Sequence, residues 1–171
     1  MSPKSMLGFI GKVVVVHAVT YFVAGAIAFP LLTGRLYQGP GATFATFMRS
    51  PDLPAEWRHV ITWAIPGEIL RGALLGVVYC PFLGSLQSWS FRRRFLALAA
   101  LYLVLGFWAS VPAAPGTIEG LIYMRPNITP YAHLLIQPEI IAQALLMAAW
   151  LAHWMRPGAQ PGSRVAPSAA G

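Results

Sequence analysis

Apolar positions along this chain fall into long runs rather than short alternating stretches. Four runs stand out, at about Val13 to Thr33, Val60 to Gly84, Phe95 to Val111 and His133 to Met155. A hydrocarbon core of about 30 Å takes about 20 helical residues at a rise of about 1.5 Å each. The four runs meet or approach that length, the third being the shortest. The pattern predicts an all-α integral membrane protein with four transmembrane helices. Prolines punctuate the runs: Pro30 late in the first, Pro81 late in the second and Pro157-Gly158 after the fourth. Tyr37, Trp57, Trp63, Trp89, Tyr131 and Trp154 flank the runs, the placement of aromatic belts at membrane interfaces.

Composition agrees with burial in lipid. Of the 171 residues, 57% are hydrophobic and 10% charged, against about 25% charged in soluble domains. Twelve Lys and Arg face five acids, for a net charge of +7. The bases sit at the ends of apolar runs and form no basic stripe interleaved with aromatics, so the expected partner is the lipid bilayer and not nucleic acid. One cysteine, Cys80, leaves no intramolecular disulfide and no multi-thiolate metal site. Lys4, Lys12, Arg92, Arg93, Arg94, Arg156 and Arg164 share one side of the predicted topology; Arg35, Arg49, Arg58 and Arg125 share the other. The cluster at Arg92 to Arg94 in a short loop predicts both termini in the cytoplasm, in a multi-pass protein of a bacterial inner membrane. The tail 157–171 is rich in Gly, Pro, Ser and Ala and reads as a disordered cytoplasmic end.

The two halves of the chain resemble each other. Tyr21-Phe22-Val23-Ala24-Gly25 aligns with Tyr102-Leu103-Val104-Leu105-Gly106, Pro30 with Pro112, and Gly39-Pro40-Gly41-Ala42 with Ala114-Pro115-Gly116-Thr117. Met48-Arg49 aligns with Met124-Arg125, and Ile65-Pro66-Gly67-Glu68 with Ile136-Gln137-Pro138-Glu139. The collinear order predicts a tandem parallel repeat of two helix–outer loop–helix units, about 11–84 and about 93–156, within a transmembrane domain of residues 1–156. The first run also carries the basic start and small residues of a cleaved signal peptide. The repeat favours a retained helix. The loop stretches Thr43 to Met48 and Ile118 to Met124 are too short to span and read as short helices at the outer interface.

Charges inside a span are costly and mark function. Glu68 and Arg71 fall on the second run and Glu139 on the fourth, with the two glutamates as symmetry mates. Glu68 and Arg71, at i and i+3, share a helix face, as do Glu139 and Gln143 at i and i+4. These four residues are the predicted site for a ligand, ion or proton; a Glu–Arg pair that merely locks two helices is the plainer reading. Gly72-x-x-x-Gly76 is a small-xxx-small pattern for close helix packing. His17 and Glu119 are secondary candidates. His17 reads as lying near the cytoplasmic end of the first span, about 15 Å or more in depth from Glu68, too far for a direct dyad. No residue set predicts a metal centre, and the sequence leaves the question of a cofactor open.

Glu68-Ile69-Leu70-Arg71-Gly72 resembles, over five residues, the Glu-Glu-x-x-x-Arg-Gly helix of membrane CAAX-type proteases. The doubled glutamate is missing, the spacing is one short and no second His motif follows, so no enzymatic role transfers. The expectation is a small transporter-like protein acting through Glu68, Arg71, Glu139 and Gln143, with a homodimer or a membrane-complex partner compensating for its few helices. A structural or assembly subunit of a larger membrane complex is the first alternative and an intramembrane enzyme on lipid or peptide the second, with enzymatic activity disfavoured for want of a nucleophile or metal set.

Overall fold

The computed structural model describes residues 3–110, 112–124 and 127–155, excepting the side chains of Pro3, Glu119 and Tyr123. The secondary candidate Glu119 and the tail 157–171 thus fall outside the described side chains. The described residues are helical and contain no strand. In chain order the α-helices are α1 (Pro3–Ala28), α2 (Gly34–Tyr37), α3 (Pro54–Tyr79), α4 (Leu83–Ser88), α5 (Phe91–Ala100), α6 (Ile118–Tyr123), α7 (Pro130–Leu135) and α8 (Gln137–Trp154).

Three helical stretches are long and apolar enough to cross a membrane: Lys4–Tyr37, Pro54–Ser88 and Pro130–Trp154. The first joins α1 to α2 through a π-helical turn, Phe29–Thr33. Pro30 has no N–H to donate there, and the hydrogen-bond ladder resets through a wider turn. Each stretch begins earlier than its apolar run, because a helix continues through the polar interface once its core segment is fixed. Pro54 and Pro130 sit in the first turns of α3 and α7, where a missing N–H costs nothing. Thr129 caps α7 by accepting from Ala132 N–H, and Ser90 caps α5 by accepting from Arg93 N–H.

The run expected as a third span differs. It forms α5 followed directly by a π-helix, Leu101–Trp108. Arg92, Arg93 and Arg94 occupy its first turn, which leaves an apolar length of about 21 Å from Phe95 to Trp108. This falls short of the hydrocarbon thickness that the other three cover.

The helices pack antiparallel. α1 lies against both α3 and α8, and α8 against both α1 and α5, whereas α3 and α5 make no comparable contact. A core of Phe9, Val13 and Val16 on α1, Tyr79, Leu83 and Leu86 around α4, Leu98, Ala99 and Tyr102, and Ala144 to Met155 fills the end that carries the lysines and the Arg92 to Arg94 cluster, here the basic end. Toward the opposite, loop end that core stops. α3 buries Gly72, Gly76 and Tyr79 but nothing between Pro54 and Arg71, and the Leu101–Trp108 segment buries only Tyr102. A second small core, of Leu36, Phe44, Ile128 and Ala132, caps the loop end by packing the two long loops on each other. Arg35 donates to the Tyr131 hydroxyl across this cap. Both loops turn at a Pro-Gly step whose glycine has positive φ, Gly41 at 78° and Gly116 at 90°, a conformation that L side chains rarely adopt.

Candidate functional site

The close approach of α1 and α3 places the site. A Cβ added at Gly72 would lie 2.8 Å from Val14 Cα, and one at Gly76 would lie 3.0 Å from Ile10 Cα. Only glycine allows the two backbones this near. The same register brings Glu68, one turn nearer the loop end, level with His17.

Nε2 of His17 stands 2.8 Å from Oε2 of Glu68. The His17 side chain is fully buried, and that of Glu68 is 13% exposed. This corrects the depth read from hydropathy, which separated the two. α1 starts at Pro3 rather than at Val13, so His17 lies about 21 Å along the helix, near its middle, and the register of α1 on α3 sets it opposite Glu68.

His17, Tyr21 and Gly25 follow at i, i+4 and i+8, forming one face of α1 that looks onto the other polar groups. Tyr21 is within electrostatic reach of Glu68, Glu139 and Arg71. Gly25 meets Glu139, whose Oε1 would lie 3.5 Å from a Cβ at that position. The two glutamates therefore engage the same helix about 12 Å apart along its axis, with Tyr21 between them, and no hydrogen bond joins them among the described residues. Glu139 sits in the first turn of α8, where the helix dipole favours a carboxylate.

Arg71 does not pair with Glu68. Its side chain is exposed, and its guanidinium lies 5.9 Å from the centroid of the Tyr102 ring. The one close contact between an acidic and a basic side chain among the described residues joins Glu68 to His17 and not to Arg71, so the Glu–Arg lock open to the sequence is not what holds α3. Tyr102 also flanks His17, with ring centroids 5.9 Å apart. It reaches Arg71, Glu68 and Tyr21 electrostatically, so it joins the cluster from the Leu101–Trp108 segment that follows α5.

Several buried polar atoms here have no partner among the described residues: His17 Nδ1, Gln143 Nε2 and the hydroxyls of Tyr102 and Tyr79. Such atoms inside a protein are ordinarily satisfied by water or ligand. Gln143 is buried on α8 one turn from Glu139. Tyr79 and Tyr102 both belong to the core that fills the basic end. Among the described residues no group of three His, Cys, Asp or Glu converges as a metal site would require.

The structure thus brings Glu68 to His17 and Glu139 to Gly25 on one face of α1, sets Arg71 against Tyr102, which flanks His17, and buries Gln143 on α8 one turn from Glu139. His133 serves the loop end instead, its Nδ1 accepting from Gly116 N–H at 2.8 Å. Chemically the cluster offers two carboxylates, an imidazole with one open nitrogen, a guanidinium and phenol hydroxyls. That set can pass a proton or hold a small cation. The chain matches no protein-family model, no curated protein and no solved structure.

Proposed function

We propose that this chain is a four-helix membrane protein of the bacterial inner membrane that binds or moves a small ligand, ion or proton, the proton being the cargo the cluster suits best. The observation that carries the reading is the partly buried His17–Glu68 hydrogen bond with Nδ1 of the buried His17 without a partner among the described residues. The α1–α3 contact is already made by Gly72 and Gly76 against Val14 and Ile10, so packing has no need of an ionisable pair that costs free energy in lipid. Imidazole is the side chain suited to proton exchange near neutral pH. In this reading a proton enters from the loop end past Glu139 and Tyr21, binds at Glu68 and is relayed by His17 toward Tyr102.

The tandem repeat belongs to the same proposal. Two features support it: α1 with α3 and α5 with α8 each form an antiparallel pair, and both long loops turn at a positive-φ Pro-Gly step. With the Arg92 to Arg94 cluster facing inward, both termini are cytoplasmic and the cluster is reached from outside.

The test is the melting temperature of the full chain in lipid nanodiscs, across pH and a panel of ions, for wild type, Glu68→Gln and Glu139→Gln. A pH- or ion-dependent shift in wild type that both variants lose is the expected result. A wild type whose melting temperature shows no pH or ion dependence, with only a uniform drop in both variants, overturns the reading.

One observation favours a second reading, a subunit of a larger membrane complex. α3 buries nothing from Pro54 to Arg71, and Arg71 is exposed in the middle of a membrane-length helix. An arginine facing hydrocarbon calls for a partner helix. A stoichiometric partner recovered in mild detergent and lost with Arg71→Leu supports this reading; a lone chain from native lipid removes it.

A further inference from the structure

The basic end holds a pocket that the polar cluster does not use. It measures about 430 Å³ and opens between α1, α4 and α8. Gly8, Phe9 and Lys12 line one side, with Leu83, Gln87 and Trp154 among those opposite. The lining is mostly apolar with a polar rim, and the Lys12 ammonium stands 6.0 Å from the centroid of the Trp154 ring.

Charge balance indicates what the pocket takes. No Asp or Glu occurs in residues 1–51, 69–118 or 140–171, which supply every wall of the pocket. Two arginines of this end are engaged elsewhere. Arg93 lies 4.3 Å from the Trp89 ring centroid. Arg94 is buried and donates to the Met155 carbonyl at the end of α8, with its Nε unpartnered among the described residues. A helix C-terminus carries only about half a negative charge, so the positive charge here exceeds what the described residues balance. Lys12 is exposed at the pocket, and no acidic side chain in these segments stands to pair with it, so an anion entering the pocket would meet uncompensated positive charge.

We propose that this pocket binds the anionic phosphate head of an amphiphile, with Lys12 as its charge partner, Gln87 as a hydrogen-bonding side chain and the acyl chain lying along Phe9 and Leu83. The elements that form it begin and end at the basic interface, where headgroups of anionic lipids are concentrated. A lipid phosphate and a free phosphate share this chemistry, and the apolar walls favour the lipid.

The experiment is native mass spectrometry of the full chain released from phosphatidylcholine nanodiscs doped with phosphatidylglycerol, with and without added inorganic phosphate. Wild type is expected to retain phosphatidylglycerol in preference to phosphatidylcholine. Lys12→Gln lowers that preference about fivefold, the factor expected for one basic residue at an anionic surface. Gly8→Trp fills the pocket without altering charge, because nothing lies within 4 Å of a Cβ there, and abolishes the preference. Arg58→Gln, at the loop end, keeps it. Displacement of the lipid by inorganic phosphate supports the anion site and names the soluble ion as a ligand; failure to displace it supports the lipid. No preference in wild type, or full preference retained in both Lys12→Gln and Gly8→Trp, overturns the proposal.

Discussion

His17 on α1 and Glu68 on α3 share a hydrogen bond of 2.8 Å inside the span. Their relationship is testable apart from any transport assay. Removing one partner leaves the other buried and unsatisfied, which costs about 1–3 kcal/mol. Removing both with apolar residues avoids that penalty. Glu68→Leu and His17→Leu should each destabilise the chain by about that amount, and the double variant should recover most of the loss. Chemical or thermal unfolding in nanodiscs reads the cycle. Additive losses in the double variant would show that the two side chains are not coupled.

The glycines of α3 make a sharper contrast. A Cβ at Gly72 would come within 2.8 Å of Val14 Cα, while at Gly67 it would meet nothing within 4 Å. Gly72→Ala must push α1 and α3 apart and should cost about 1–3 kcal/mol. Gly67→Ala should be neutral or stabilise by up to about 1 kcal/mol, since alanine favours the helix. The displacement of α1 would also lengthen the His17–Glu68 contact, so Gly72→Ala should weaken the pH response predicted for wild type where Gly67→Ala leaves it intact. Equal melting temperatures for the two variants would contradict this packing.

Helical class and membrane character were legible because long apolar runs leave few alternatives. Glu68, Arg71 and Glu139 were legible because charge in such a run stands out. The partner of Glu68 was not. Hydropathy marks where a helix meets lipid, not where it begins; α1 takes in Lys4, Ser5 and Gly8 before its apolar run, and His17 moves from the edge to the middle of the helix. A signal was available in the spacing of His17, Tyr21 and Gly25, which shares one helix face. Tyr102 was hidden for another reason. It comes from a helix with little contact to α3, and only the long Arg71 side chain bridges the gap to its ring.

Arg71 separates cargo binding from assembly. Because it is exposed and pairs with no carboxylate among the described residues, Arg71→Leu should not destabilise the chain, and should raise its melting temperature if the side chain faces lipid. If the cluster binds an ion or proton, its pH or ion response in nanodiscs should shift, because Arg71 acts electrostatically on Tyr21 and Tyr102. Arg71→Lys should restore most of that response by keeping the charge. If Arg71 instead anchors a partner helix, the response stays and co-purification is lost, with lysine a poor substitute for the planar guanidinium.

The hydroxyls of Tyr102 and Tyr79 are buried without a partner among the described residues. A hydroxyl with no function there is a penalty, and Tyr→Phe would relieve it. A hydroxyl that holds water is part of a path, and Tyr→Phe would break it. Tyr102→Phe and Tyr79→Phe are therefore expected to melt at or above the wild-type temperature while slowing proton flux into proteoliposomes about tenfold or more, by analogy with the loss of a positioned proton-transfer group. Radiolytic hydroxyl labelling supplies a readout that needs no flux: ordered water beside a buried tyrosine raises its labelling rate above that of a dry neighbour. Tyr79 and Tyr102 should label well beyond what their burial predicts. If neither labels and both Phe variants keep full flux, the route from His17 to the basic end runs elsewhere, and the unpaired hydroxyls are only the cost of filling the core with tyrosine.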